Sequence, residues 1–191
     1  ERISGDIPKF LARMNQEAKA LGMKDTQFSN TAGISMDDHY STAHDLALLG
    51  QALSVETPDY LYYSKQQSFT YNLHFHRATN IVLKQDATVD GLKTGFTKAA
   101  GYNLALTANR LTTNFDSPNR RLIVVVLGAQ NAFKRAEIAH KLMNLAYTYS
   151  RNEVIIKDKQ LIAELPVVQS TLKMGGVSKS MLKLNEAIID I

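Results

Sequence analysis

Two apolar runs, residues 102–108 and 122–127, constrain this chain more than any other feature. Both read as strands, and the polar stretch between them, with Asn114, Asp116 and Pro118, reads as their hairpin loop. Gly128-Ala129 is expected to break the second strand. Just ahead lies Val89-Asp90-Gly91-Leu92-Lys93-Thr94-Gly95-Phe96-Thr97, which reads as an edge strand that turns near Gly101 to run antiparallel to residues 102–108. Together they predict three neighbouring strands of an antiparallel sheet. A helix follows from about Ala132, with Ile138, Leu142, Leu145 and Tyr149 as its apolar face.

The edge segment also carries the chemistry. Lys93 supplies an ammonium, Thr94 a short donor and acceptor, and Gly95 removes the side chain that would keep a ligand's backbone off the strand. Such an edge suits an extended peptide and its carboxylate.

In the front half, Asp6 or Gly5 caps a helix with Pro8 in its first turn and Ile7, Phe10, Leu11, Met14, Ala18 and Leu21 at helical spacing. Gly22 ends it. After a polar, turn-like stretch, Ser41 or Thr42 caps a second helix through Leu46, Leu49 and Leu53 that ends near Ser54, with Asp45 as a capping-box partner if Thr42 is the cap. Pro58 opens a short helical turn, and its tyrosines, Tyr60, Tyr62 and Tyr63, read as packing residues with their hydroxyls at the rim. A strand over residues 68–71 follows. His74 and His76 share one side if extended, but no third metal ligand accompanies them and they read as a solvated loop. From Arg151-Asn152 onward the pattern changes to short alternating strands at residues 154–156, 161–163, 182–184 and 188–189.

Lys-Thr-Gly is an element of penicillin-binding proteins. With Asp90-Gly91 before it, Thr97 after it and Ala100-Gly101-Tyr102-Asn103-Leu104 behind, it resembles the third motif of that group. The resemblance narrows to low-molecular-weight serine-type D-alanyl-D-alanine carboxypeptidases of the peptidase S11 family. It extends over Met14-Asn15, Leu21-Gly22-Met23, Asp25-Thr26, Phe28, Asn30, Gly33, His39-Tyr40-Ser41-Thr42-Ala43 and Asp45-Leu46-Ala47, and more loosely over Asn80 to Leu83. It implies an α+β fold: a β-lactamase/transpeptidase-like catalytic domain, antiparallel sheet with helices, followed by the start of a small β-rich domain. The boundary falls near residue 151, giving 1–150 and 151–191.

The implied activity is removal of the terminal D-alanine from peptidoglycan pentapeptides through an acyl-enzyme, with β-lactams as inhibitors and no metal or organic cofactor. Lys93 would hold charge near the nucleophile, Thr94 would bind the substrate carboxylate beside Gly95, and the N–H of Phe96 would be an oxyanion donor. Arg135 falls where the family has an arginine near the terminal carboxylate, and equally reads as a solvated first-turn residue. The family's Ser-x-x-Lys and Ser-x-Asn elements have no counterpart in the expected order. Ser170-Thr171-Leu172-Lys173, Ser117-Pro118-Asn119 and Ser150-Arg151-Asn152 fit those spacings but lie after Lys-Thr-Gly. The chain is therefore expected to lack the N-terminal part of such an enzyme and to be inactive alone. Its sheet would keep three of five strands, with the helix from Ala132 on one face, the other face bare and one edge open, so that it self-associates or awaits a missing N-terminal fragment. A class A β-lactamase relative and a non-catalytic peptidoglycan-binding module are the alternatives.

The net charge of +4 is spread without a basic block, and Arg120-Arg121 reads as a strand start, so a nucleic-acid partner is not expected. With no cysteine, disulfides and thiolate metal sites are excluded, which suits an oxidising envelope compartment. No apolar stretch approaches the ~20 residues of a membrane span. The expected location is the periplasm, with inner-membrane attachment through parts outside this chain.

Overall fold

The computed structural model describes residues 3–111, 119–152, 161–166 and 179–183. The chain divides into two compact units, Glu1–Arg151 and Asn152–Ile191. The first contains helices α1 (Ile7–Ala20), α2 (Ala43–Glu56), α3 (Asp59–Ser64) and α4 (Ala132–Tyr149), a hairpin of β1 (Ser68–Tyr71) and β2 (His74–Arg77), a 3-10 turn (Ile81–Lys84), and a sheet of β3 (Val89–Thr97), β4 (Gly101–Leu111) and β5 (Asn119–Ala129). In the second, β6 (Leu161–Pro166) pairs antiparallel with β7 (Lys179–Lys183). The strands expected at 154–156 and 188–189, Leu184, and the loop with Asn114, Asp116 and Pro118 lie outside the described residues.

Local chemistry explains the helix ends. Asp6 caps α1 by accepting the Lys9 N–H at 2.7 Å, and Gly22, at φ +78°, closes it while the Met23 N–H reaches the Ala18 carbonyl at 2.9 Å. Thr42 caps α2 by accepting the Asp45 N–H at 3.1 Å. The capping-box expectation for Asp45 is corrected. Its carboxylate is buried and turned toward the α1–α2 connection, accepting the Asp25 N–H at 2.8 Å and the Thr26 hydroxyl at 2.7 Å. The Thr26 hydroxyl, ahead of His44 and the Asp25 amide, holds its pKa below the ordinary carboxylate value against the cost of burial. α2 also runs to Glu56, past Ser54.

The sheet is antiparallel in the order β3-β4-β5, with Lys93 opposite Ala105 and Thr94 opposite Leu104. Gly128 does not end β5. Tyr102 pairs with Ala129 and Leu104 with Val126, so β5 carries an extra residue there, with Gly128 at φ +72° and its N–H donated to Asn103 Oδ1 at 2.8 Å. Across the sheet, Arg121 of β5 makes a bidentate pair with Asp90 of β3, both bonds 2.7 Å, and donates to the Thr107 hydroxyl of β4 at 3.0 Å on the way.

The core lies between this sheet and α4: Val82, Leu83, Val89, Leu104, Leu106, Ala108, Val126, Ala136, Ala139 and Met143 are buried. Here the expected face of α4 is corrected. Ile138, Leu142 and Leu145 are 41%, 43% and 43% exposed and Tyr149 more so, while Arg135, Ala136, Ala139 and Met143 face inward. The helix carries two apolar stripes, and the one with alanines lets its backbone approach the sheet closely. The opposite face of the sheet is not bare either. α2 packs there, so close that a Cβ on Gly50 would stand 3.1 Å from Leu92 Cδ1 and 3.3 Å from Ile123 Cγ2. Among the described residues, β5 has no strand partner beyond β4.

Two smaller readings change. Tyr62 and Tyr63 are exposed rather than packed, and His74 and His76 lie on strand β2 rather than in a loop. Among the described residues no three His, Cys, Asp or Glu side chains cluster as metal ligands, and no helix is long and apolar enough to cross a membrane.

At the far edge of the core, Asp86 accepts from the Thr88 amide at 2.9 Å and from Arg110 at 2.6 Å, with His140 Nε2 at 3.3 Å. Burial pushes its carboxyl up, but Thr88 and Arg110 outweigh that and hold the pKa down to about 2.

Two outcomes are expected. Met143→Ala should cost about 2–5 kcal/mol in urea unfolding, and Leu142→Ala about 1 kcal/mol or less, because only the first side chain leaves a cavity. The reverse order would place the wrong stripe inward. A depressed carboxyl contributes stability above its ordinary value of 3.8 that is lost as pH falls toward about 2. Urea midpoints across that window should therefore fall more steeply for the parent chain than for Asp86→Asn.

Candidate active site

The free edge of β3 borders a cleft of about 950 Å³ whose walls come from β3, the start of β4, the start of α4, Thr79 and residues 31–33 of the α1–α2 connection. That connection has little regular structure beyond a bridge between Gln27 and Tyr40, and side chains hold it instead. The Asn15 amide bonds both main-chain groups of Phe28, at 2.7 and 2.8 Å. Asn30 accepts the N–H groups of Ala32 and Ile34 and donates to the Ile34 carbonyl at 2.7 Å. Ser35 Oγ then reaches Thr97 Oγ1 at 2.8 Å, docking the connection on the end of β3.

Part of the β3 edge is already occupied. The carbonyl of Asp90 accepts the Ser64 hydroxyl at 2.6 Å and that of Gly91 the buried Asn80 amide at 3.3 Å. Beyond them, the Lys93 ammonium folds onto the Thr94 carbonyl. Among the described residues, nothing outside the β3–β4 pair bonds the main chain of residues 95–97. A Cβ on Gly95 would make only an ordinary 3.9 Å contact with Asn103, so the fold does not demand glycine there. Its effect is to leave the edge open. Phe96 stands exposed against its cross-strand partner Tyr102, ring centroids 4.2 Å apart.

Arg135 forms the cleft's inner wall. The reading of it as a solvated first-turn residue is corrected, since it is 4% exposed. Nη1 donates to the Asn103 carbonyl at 3.2 Å and Nη2 to the Thr79 carbonyl at 3.0 Å, the guanidinium lies 5.8 Å from the Tyr102 ring, and Nε has no partner. Among the described residues no carboxylate pairs with it. Burial lowers its pKa accordingly. A buried cation without a carboxylate partner attracts an anion in the adjoining cleft through its charge, while its unpartnered Nε stays buried.

The structure thus gathers Lys93, Thr94, Gly95, Phe96 and Arg135 around one cleft. It also reveals Thr79, which sequence reasoning passed over. Its hydroxyl lies 2.6 Å from Thr94 Oγ1 while its carbonyl holds Arg135, so it links the two groups that face the cleft. No spacing pattern marks such a residue, because half of its contribution is a backbone carbonyl. Ser150 caps α4 and bonds Arg120, away from the cleft. Ser117 and Ser170 to Lys173 lie outside the described residues, and Ser180 to Lys183, which also fits Ser-x-x-Lys, lies on a hairpin strand and not a helix.

Comparison with known proteins bears on this arrangement. A peptidase S11 family model, described as D-alanyl-D-alanine carboxypeptidase, matches residues 1–131. The chain is 36% identical over 182 residues to the D-alanyl-D-alanine carboxypeptidase DacA of Haemophilus influenzae, covering 93% of this chain and 44% of that protein. It is 31% identical over 184 residues to DacF of Bacillus subtilis, covering 94% and 46%. Penicillin binding protein 5 from Haemophilus influenzae superposes with a TM-score of 0.80 at 29% identity, over 95% of this chain and 50% of that one. Penicillin-Binding Protein D2 from Listeria monocytogenes, solved in a cefotaxime-bound form, gives 0.63 at 35% identity, over 72% and 55%. The chain spans less than half the length of these curated relatives.

Arg135→Met tests whether the buried cation serves the fold or a ligand. The variant loses the two bonds to the Asn103 and Thr79 carbonyls but also the cost of a buried unpaired charge, so a stability loss of no more than about 1–3 kcal/mol is expected. Acetate or sulfate should raise the melting temperature of the parent chain and not that of the variant. A large loss of stability in the variant would mark Arg135 as a structural residue.

Proposed function

Because the chain belongs to the S11 family of D-alanyl-D-alanine carboxypeptidases, we propose that its cleft is the substrate-binding side of a serine peptidase. The reaction is removal of the terminal D-alanine from peptidoglycan pentapeptides through an acyl-enzyme, and β-lactams occupy the same edge. The observation that carries this reading is the buried, carboxylate-free Arg135 beside Thr94 on an open strand edge. A peptide lying along residues 95–97 would add its main-chain bonds to β3, and its terminal carboxylate would lie at Thr94, drawn by the positive charge of the Arg135 guanidinium in the cleft wall.

Acyl transfer needs a nucleophile, a base and oxyanion donors. In this reading the Phe96 N–H is one oxyanion donor, and Lys93 holds positive charge where the nucleophile and its base converge. Hydroxyls lining the cleft among the described residues belong to Thr31, Thr79, Thr94, Thr97 and Tyr102, none of them a serine, and no described hydrogen bond joins one to the Lys93 ammonium. In this reading the nucleophile and base are supplied by a Ser-x-x-Lys element that is not among the described cleft-lining residues, and those residues do not complete acyl transfer by themselves. The first unit is part of the transpeptidase-like domain, and the second opens the small β-rich domain. The working location is the cell envelope.

Binding is testable on the chain itself. An acylated peptide ending in D-alanyl-D-alanine should shift the amide resonances of residues 93–97 and 103, while the same peptide with its terminal carboxyl amidated should not. Equal shifts from both would remove the carboxylate from the recognition. In the complete enzyme, Lys93→Ala should slow acylation by penicillin by about a hundredfold or more without changing the unfolding curve. An unchanged acylation rate would end the role given to Lys93.

A further inference from the structure

The hairpin of β1 and β2 has no use in the cleft, and every one of its eight strand residues is exposed. A two-stranded hairpin is marginal in water unless one face packs on something. Its turn falls at Asn72 and Leu73, with φ +46° and +64°, the type I′ geometry in which the second position favours glycine. Leucine stands there instead, 98% exposed. Around it Tyr71, Phe75 and Phe69 are 67%, 60% and 55% exposed, so apolar exposure is greatest at the tip and falls toward the base. Neither local turn chemistry nor core packing accounts for that leucine.

Charge identifies the kind of partner. From Tyr60 to Gln85 the sequence has no Asp or Glu, while Lys65, Arg77 and Lys84 are cationic. Two of these lie over aromatic rings near the base: the Lys65 ammonium 5.3 Å from the Tyr62 ring, and the Arg77 guanidinium 5.8 Å from the Phe75 ring. An apolar protein groove would match the tip and leave these cations unanswered. A glycan would stack on the rings but gain nothing from a protruding leucine. An anionic bilayer surface answers both, taking the apolar tip below the headgroups and the cations at the phosphates.

We propose that the β1–β2 hairpin dips into the interface of a bilayer rich in anionic lipid, with Tyr71, Leu73 and Phe75 at the acyl boundary and Lys65 and Arg77 at the headgroups. This places a membrane contact inside the chain, where the sequence reading put it outside. It is independent of the function assigned to the cleft.

The test is sedimentation of the 191-residue chain with vesicles of equal parts phosphatidylcholine and phosphatidylglycerol, and with phosphatidylcholine alone. Binding to the anionic vesicles only, weakened by salt, is expected. Leu73→Gly suits the turn, so it should fold at least as well, yet its partitioning should fall about tenfold. The chain has no tryptophan, so Leu73→Trp reports the tip alone, and its emission should shift to the blue on the anionic vesicles. Equal sedimentation of parent and Leu73→Gly would overturn the proposal, as would unshifted emission or binding to glycan strands without binding to vesicles.

Discussion

Arg121 ties three strands together across one face of the sheet, and the geometry of the cleft depends on that tie. Its guanidinium starts on β5, passes the Thr107 hydroxyl of β4 and closes a two-point bond on Asp90 of β3. Asp90, ahead of the opposing cost of burial, raises the arginine's pKa, so the guanidinium keeps its charge. Its importance is register more than energy. A slip of one residue between β3 and β4 would exchange the faces of Lys93 and Thr94, and Thr94 would leave the side on which Thr79 and Arg135 wait. The tie sits three residues before Lys93, where a slip would begin.

Support for the cleft comes from side chains wherever regular structure gives out. The α1–α2 connection is shaped by Asp45, Asn15 and Asn30, each bonding main-chain groups far from its own place in the chain or across a tight turn. Buried polar groups of this kind are costly when half satisfied and rigid when fully satisfied. The wall formed by residues 31–33 is held by Asn30, while Asp45, which does not line the cleft, fixes the start of the same connection at Asp25 and Thr26.

The sheet and the cleft's motif were largely legible in the sequence, for identifiable reasons. Strand alternation, the Asp6 and Thr42 caps and the Lys-Thr-Gly edge are all local signals. What escaped depends on three-dimensional choice. Helix α4 has two stripes that satisfy the helical period, and only the closeness of Ala136 and Ala139 to the sheet selects one. Arg135 shares the buried stripe, which periodicity cannot reveal because a charged residue scores as a solvated one. Asp45 has the spacing of a capping-box residue, but its carboxylate found stronger partners on another segment. The cover provided by α2 depends on Gly50, whose missing side chain carries no sequence signature of its own.

The two ends of the β4–β5 hairpin lie at opposite poles. Tyr102 and Ala129 pair at the cleft, while Leu111 and Asn119 pair at the far end, ~30 Å away at about 3.3 Å per residue. Length changes between those distal residues act on a part of the sheet from which neither Arg135 nor the β3 edge takes its position. That separation makes the stretch between Leu111 and Asn119 a natural port for a fluorophore, an affinity handle or an inserted module, because a guest there is insulated from the chemistry.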